Sequence, residues 1–317
     1  MHTFVKNSDS VLVTGASGFV GKALAQALGD KVVKSIQRSN LEISGCTHRQ
    51  LDINASTDYG DFLLSVNTVV HCAARVHLQG EQEEQNYGEY RNVNSLGTLN
   101  LARQAAEAGV RRFIFLSTVL VNGDSTQKGL AFGASDIANP SSPFASSKME
   151  AEFGLLEIAK QTNMEVVIIR SPLVYGKGAK ANFAQMQKIA ERNLPLPLGA
   201  IHNKRSLIGI DNLVHFIITC LDHPKAGNQV FLVSDGYDVS TTQILTELTI
   251  ASGQKPWLIP LPVPLLKLIA SILGKGKMAD RLCSNLQVEI SYTKQVIGWK
   301  PPIPFNEGIR RCFGKLP

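Results

Sequence analysis

Three glycines, Gly15, Gly18 and Gly21, lie in "VLVTGASGFVGKAL" between a β-branched run and a helical pattern. Glycine at such positions lets a pyrophosphate approach the backbone closely, and the N–H groups and dipole of the following helix favour its negative charge. The strand and helix fall where a dinucleotide loop needs them, which makes the pattern more specific than a bare glycine triplet. A second pair, Phe144 and Lys148 in "PSSPFASSKMEAE", stands four residues apart and shares one helix face. Phe144 has no proton to give.

These residues need a scaffold, and the pattern around them supplies one. Short apolar runs alternate with helical stretches: "SVLVTG", residues 19–28, "KVVKSIQ", "NTVVHCAA", a helix near 92–108, "RRFIFLST", a helix near 146–162, and "EVVIIR". Such alternation predicts an α/β fold, a doubly wound parallel sheet covered on both faces. The nearly continuous apolar run "FIFLS" fits a strand buried on both sides. From Ser171 onward prolines and glycines break the pattern into shorter pieces. A helix-then-strand unit returns at "GIDNLVHFIITCLDHP" and "NQVFLVSDG", followed by a mainly helical tail. Ser240 and Gln243 have capping-box spacing and mark a helix start. We divide the chain into a nucleotide-binding domain, residues 1–172 plus 207–236, and a smaller substrate-binding domain, 173–206 plus 237–317.

Bulk properties narrow the function. A chain of 317 residues with 44% hydrophobic and 18% charged side chains can bury a sizeable core. The formal charge of +6 suits an anionic ligand, but no basic run is interleaved with aromatics as in nucleic-acid binders. We read Arg111–Arg112 and Arg310–Arg311 as solvated pairs. Cys46, Cys72, Cys220, Cys283 and Cys312 are scattered without CxxC spacing, which argues against a disulfide framework or zinc site and fits a reducing cytoplasm. No metal is expected, and the histidines form no HExxH pair. The opening "MHTFVKNSDS" lacks the pattern of a signal peptide. The segment "PWLIPLPVPLLKLIASILGKGK" is too interrupted by proline for a membrane span, and we expect a packed helix over Leu265–Leu273 rather than one lying on a membrane surface.

The GxxGxxG spacing resembles the short-chain dehydrogenase/reductase superfamily, in its extended, nucleotide-sugar-modifying branch, and the resemblance runs over almost the whole chain. It implies that Gly15, Ser17, Gly18, Phe19, Val20 and Gly21 form the phosphate loop. It implies further that Asp52 in the short strand "LDI", with Ile53, meets the adenine. Ala73 and Ala74 in "VVHCAA" line the cofactor, Asn94 is the family's helix-kinking asparagine, and Pro172 contributes to the cofactor site. His71 we read as a satisfied core histidine. The second strand ends in "VVKSIQRSN", with no acid before Glu42. Arg38 is placed there to meet a 2′-phosphate, so NADP(H) is favoured over NAD(H).

The same resemblance gives Thr118, with Ser117 beside it, the role of the catalytic hydroxyl, and Lys148 that of the ribose-binding lysine. The family has a tyrosine where Phe144 stands. Tyr175 does not replace it, because "SPLVYGKG" matches a substrate-side motif. We read the chain as a Tyr-to-Phe active-site variant with the rest of the machinery kept; the alternative is a natural member with weakened chemistry. On the substrate side the resemblance implies that Asn182, Leu198, Arg205 and Arg281 hold a UDP-sugar. The runs "LVYGKGAKANF", "RSLIGIDNL" and "FLVSDG" are similar to those of bacterial surface-polysaccharide enzymes that interconvert UDP-4-keto-6-deoxy-N-acetylhexosamine and UDP-N-acetylquinovosamine. A UDP-hexose 4-epimerase and an idle NAD(P)-binding regulator are the alternatives, and the family analogy allows a homodimer.

Overall fold

The structure, a computed structural model, describes residues 10–28, 33–38, 46–76 and 86–314. Residues 1–9 of the opening segment and Glu42 lie outside the described residues. The chain begins with β1 (Val11–Thr14), all four residues of which are buried, and turns through the glycine loop into α1 (Phe19–Leu28). Leu24, Ala25 and Leu28 put the apolar side of α1 against the sheet. Strands β2 (Val33–Gln37), β3 (Cys46–Gln50) and β4 (Thr68–His71) follow. A long helix, α2, spans residues 87–107; it starts as α-helix over Tyr87–Tyr90, widens into a π-helix over Arg91–Gly97 and tightens again over Thr98–Glu107. Then come β5 (Arg112–Thr118), α3 (Pro143–Gln161) and β6 (Glu165–Ser171).

Among the described residues the strands of the main sheet run in the order β3-β2-β1-β4-β5-β6-β9, with β9 at Gln229–Leu232, and every pairing is parallel. The order reverses between β1 and β4, which creates the crevice at the strand ends where open α/β sheets take ligands. One face of the sheet packs against α1 and α5 (Ile210–Asp222) through Val13, Leu24, Phe216 and Ile217. The other packs against α2 and α3 through Leu101, Ala105, Ala151 and Leu155. This is the doubly wound α/β fold expected from the alternation.

A second sheet of three short strands, β10-β8-β7, is built from β7 (Leu173–Tyr175), β8 (Arg205–Gly209) and β10 (Asp238–Val239). Around it lie α4 (Ala181–Arg192), α6 (Thr241–Ser252), α7 (Val263–Ile272), α8 (Gly276–Cys283), α9 (Ser291–Ile297) and α10 (Phe305–Cys312). The predicted start of α6 is present in full: Ser240 Oγ accepts from Gln243 N and Gln243 Oε1 accepts from Ser240 N. Ile297 and Trp299, in the tail, pack in the core of the main sheet beside Phe216.

Four local expectations need correction. "LDI" is not a strand: the edge strand is the preceding polar stretch Cys46–Gln50, and Asp52 follows it in a turn where Thr57 Oγ1 donates to the Asp52 carbonyl at 2.6 Å. The helix carrying Lys148 starts at Pro143, earlier than expected, because Ser142 caps it and Pro143 favours the first turn. Arg112 is not solvated. It is 1% exposed, bonded to Glu165 at 2.6 and 2.8 Å and to the carbonyls of Cys220, Leu221 and His223; Arg311 likewise pairs with Asp211 and Glu307. The helix expected to pack over Leu265–Leu273 does form, as α7, but none of its residues is buried.

Candidate active site

The glycine loop is fixed by its neighbours. Gly15 has φ of +69°, in the left-handed region, and a Cβ there would lie 2.7 Å from the Ala73 backbone. A Cβ on Gly21 would lie 2.3 Å from the Gly15 carbonyl oxygen, so the first turn of α1 presses on the loop. The Gly15 N–H is tied to the Ile36 carbonyl at 2.8 Å, and Gly18 N donates to Gly15 O at 2.8 Å. The result is a side-chain-free cradle at the N-terminus of α1 and the mouth of the β1/β4 crevice, with Ser17, Phe19 and Val20 half-buried around it. A pyrophosphate fits this cradle by shape and by the sign of the helix dipole.

Ala73 and Ala74 leave the end of β4 half-buried, and a buried chain of hydrogen bonds holds that strand end in place. The Thr98 hydroxyl donates to the Asn94 carbonyl at 2.8 Å and lies 2.9 Å from His71 Nε2, so it accepts the Nε2 proton. His71 Nδ1 then accepts from the Thr14 hydroxyl at 2.7 Å, and Thr14 in turn accepts from Ala73 N at 3.3 Å. Burial, with the charge of Lys148 adding to it, drives the imidazole pKa down to about 3. His71 is thus neutral and fully partnered, as a core histidine should be.

Asn94 joins two helices and a loop. It accepts from Arg75 N at 2.7 Å and donates to Arg75 O at 3.0 Å and to Ser147 Oγ at 3.1 Å. It belongs to the π-helical stretch of α2, whose wider turn swings the side chain across to α3, where Ser147 precedes Lys148.

Lys148 is 2% exposed, with Nζ 3.8 Å from the centre of the Phe115 ring on β5. Burial lowers its pKa to about 7, while Glu152 and Cys72 pull it back up. The same burial pushes the Cys72 thiol up to about 12. Three residues beyond Phe115, β5 ends at Thr118, which is half-buried and accepts from Leu120 N at 3.3 Å, leaving its own proton to donate. Phe144 opens α3 one turn before Lys148, and its ring meets Tyr90 edge-on with centroids 6.2 Å apart. Ile53 is buried, Pro172 is buried after β6, and Arg38 and Asp52 are exposed just beyond the ends of β2 and β3.

Behind the site lies a buried ion pair. Arg170 on β6 donates to Glu152 on α3 at 2.6 Å and to Asn122 at 3.2 Å, and Ser117 Oγ donates to Glu152. Ser117 is therefore engaged in this network, while its neighbour Thr118 is half-buried at the end of β5. Sequence reasoning missed Glu152 and Tyr90. Each stands four residues from a residue it did find, Lys148 and Asn94, but that spacing alone does not separate a neighbour of the site from a surface contact. Tyr175 is held elsewhere: its hydroxyl donates to Asp235 at 2.6 Å, and burial raises its pKa.

The substrate-side residues divide. Arg205 at the start of β8 is half-buried, and its Nη1 donates to the carbonyls of Arg281 at 3.0 Å and Ser284 at 3.1 Å, so the structure brings Arg205 and Arg281 together. Burial lowers the Arg205 pKa. Asn182 is exposed in the first turn of α4, beside Ala181 at φ of +53°, and the Leu198 carbonyl accepts from Thr242 at 2.6 Å; these two ride on separate segments.

Known proteins match this arrangement. The model for the NAD dependent epimerase/dehydratase family covers residues 11–234, from the glycine-loop strand to the strand that closes the main sheet. The chain belongs to that family. It is 47% identical over 311 residues to the UDP-glucose 4-epimerase of Vibrio cholerae, covering 96% of this chain and 95% of that protein. It is 26% identical over 324 residues to the N-acetyl-alpha-D-glucosaminyl-diphospho-ditrans,octacis-undecaprenol 4-epimerase of Escherichia coli O157:H7, covering 96% and 95%. The structure of UDP-glucose 4-epimerase from Thermotoga maritima with UDP-glucose superposes with a TM-score of 0.78 at 20% identity, over 96% of this chain and 97% of the other. The family's NAD(P) cofactor is the group the glycine cradle fits.

Proposed function

We propose that the protein transfers hydride at C4 of a UDP-linked hexose, in the direction that reduces a UDP-4-keto-6-deoxy-N-acetylhexosamine to UDP-N-acetylquinovosamine for surface polysaccharide. The observation that carries this reading is the convergence of the glycine cradle, Thr118 and the buried Lys148 at the β1/β4/β5 ends. Bound there, the nicotinamide supplies or accepts the hydride. Thr118 donates to the sugar O4 and polarises it. Lys148 holds the nicotinamide ribose, while Asn94 and Glu152 steady the helix that carries it. Arg205, Arg281, Asn182 and Leu198 hold the UDP portion, the two arginines on the diphosphate. Arg38 at the exit of β2 favours a 2′-phosphate and hence NADP(H). Phe144 leaves the site without its phenolic proton relay, which weakens turnover more than binding. This reading carries with it the two-domain division drawn from the sequence, a cytoplasmic location and a homodimer.

The 47% identity to a UDP-glucose 4-epimerase favours a second reading, 4-epimerisation. The two differ in how long the nucleotide stays. Nucleotide released from the denatured protein, followed by NADPH oxidation with the UDP-4-keto sugar, separates them. The reductase reading expects little retained nucleotide and substrate-dependent oxidation of NADPH. Stoichiometric retained NAD with interconversion of UDP-hexoses establishes the epimerase instead, and failure to bind UDP-sugars at millimolar concentration overturns both.

A further inference from the structure

Leu265, Leu268, Ile269 and Ile272 recur at i, i+3, i+4 and i+7 along α7. In a globular protein that stripe faces the core. Here it faces out: the four side chains are 41–77% exposed, and the neighbouring Trp257 and Leu273 are 60% and 66% exposed. The inner side of α7 is held by α8, with Lys267 paired to Asp280 at 2.7 Å. A contiguous apolar face of this kind on a folded chain marks an interaction surface.

The charges around the face identify what covers it. From Lys255 to Arg281 the segment carries five cations, Lys255, Lys267, Lys275, Lys277 and Arg281, against one acid, Asp280. Lys267 is taken up by Asp280 on the inner side, and Lys255, Lys275 and Lys277, all exposed, flank the stripe along the chain. A second copy meeting it by twofold symmetry would set the cationic rim against itself. Anionic headgroups neutralise the rim while the acyl boundary takes the stripe, and an indole beside it suits the headgroup level.

We propose that α7 and its flanks dock this protein in the surface of an anionic lipid bilayer, lying in the interface without crossing it. Among the described residues no helix is long and apolar enough to span a membrane. The segment also reaches the substrate side: Leu196 and Leu258 form a β-bridge, and α8 carries Arg281, whose carbonyl accepts from Arg205. Docking does not depend on which sugar is turned over.

The test is co-sedimentation of the full chain with vesicles of equimolar phosphatidylglycerol and phosphatidylcholine, against phosphatidylcholine alone. Binding is expected to the anionic vesicles, weakening as salt is raised. The pair Leu268→Glu and Ile272→Glu should lower partitioning about tenfold or more with an unchanged melting curve, because both side chains are already in water; Lys275→Glu with Lys277→Glu should also lower it about tenfold. Of the two tryptophans only Trp257 is exposed, Trp299 being 4% exposed, so the emission shift on vesicle binding should vanish in Trp257→Phe. No sedimentation at millimolar lipid, or equal binding by the glutamate variants, overturns the proposal. So does a wild-type dimer that Ile272→Glu converts to monomer, which would assign the face to a second copy.

Discussion

At the scale of single residues, Phe144 and Lys148 are where the proposed reading is most directly tested. Phe144 is half-buried at the head of α3, one turn before Lys148, and on the proposed reading a hydroxyl on its ring restores the missing proton relay. Phe144→Tyr should raise turnover by roughly 10²- to 10⁴-fold, the range of a positioned general acid–base, with nucleotide-sugar affinity within a few-fold. Steady-state NADPH oxidation from pH 6 to 10 checks it, and equal rates in the two proteins would reduce Phe144 to packing. Lys148 gives a stability prediction of definite sign. Its pKa is near 7 when folded and about 10.4 when unfolded. Between those values the unfolded chain binds the extra proton, so this group makes stability rise with pH through the window and is most costly below pH 7. Relative to Lys148→Met, the wild-type protein without added nucleotide should gain about 2 kcal/mol between pH 6.5 and 9 in urea unfolding. Spacing put these two residues on one helix face, and the family resemblance supplied the roles expected of them. Glu152 was not legible, because a carboxylate one turn beyond a lysine reads equally well as a surface ion pair, and only the structure shows Arg170 and Ser117 enclosing it.

Elements were legible where burial enforced a period. The apolar runs of β1, β4, β5 and β6 are buried on both faces and are apparent from composition alone. β3 was missed because "CTHRQ" is, among the described residues, an edge strand paired with β2 and largely open to water, so its side chains carry no apolar signal. α7 was misjudged for the opposite reason: its stripe has the period of a buried helix, and periodicity does not say which phase is covered. Arg112 shows how a charged residue can be structural. It opens β5, and its guanidinium ties the strand to Glu165 on β6 and to the last carbonyls of α5, where a cation also complements the helix dipole. Arg112→Met keeps the stem but leaves Glu165 and three carbonyls without it. Loss of about 1 to 3 kcal/mol is expected, because the carbonyls at the end of α5 lose their donor while Glu165, 35% exposed, keeps water and Arg111 beside it, with the urea midpoint shifted and the slope unchanged. A shift below 1 kcal/mol would mean that water replaces the guanidinium at the end of α5.

At the scale of the whole molecule the question is what keeps the second sheet in register with the first, since the cofactor cradle is on one and Arg205 on the other. Asp235 lies just beyond β9 of the main sheet and is 8% exposed. It accepts from Tyr175 on β7 at 2.6 Å, from the Gly209 N–H at the end of β8 at 3.0 Å, and from Asn212 in α5 at 2.7 Å. Asn212 also grips both the N–H and the carbonyl of Ile303, just before α10, at 2.9 and 2.7 Å. One carboxylate therefore fastens the second sheet, α5 and the C-terminal helix to the strand that closes the Rossmann sheet. Burial raises its pKa, and the three donors pull it back down. Asp235→Leu keeps the branched shape with methyls in place of oxygens but strands a phenol, an amide and a backbone N–H, each costing about 1 to 3 kcal/mol when left unsatisfied. The loss should be local. Hydrogen exchange should quicken in β7, β8 and α10 while β1 and β4 keep their protection, and UDP-sugar affinity should fall further than nucleotide affinity, because Arg205 moves relative to a cradle that stays in place. Asp235→Asn retains an acceptor for Gly209 and Asn212 and should recover most of the protection. Uniformly faster exchange across both sheets in Asp235→Leu would show that the two layers unfold as one unit and that Asp235 is not the joint between them.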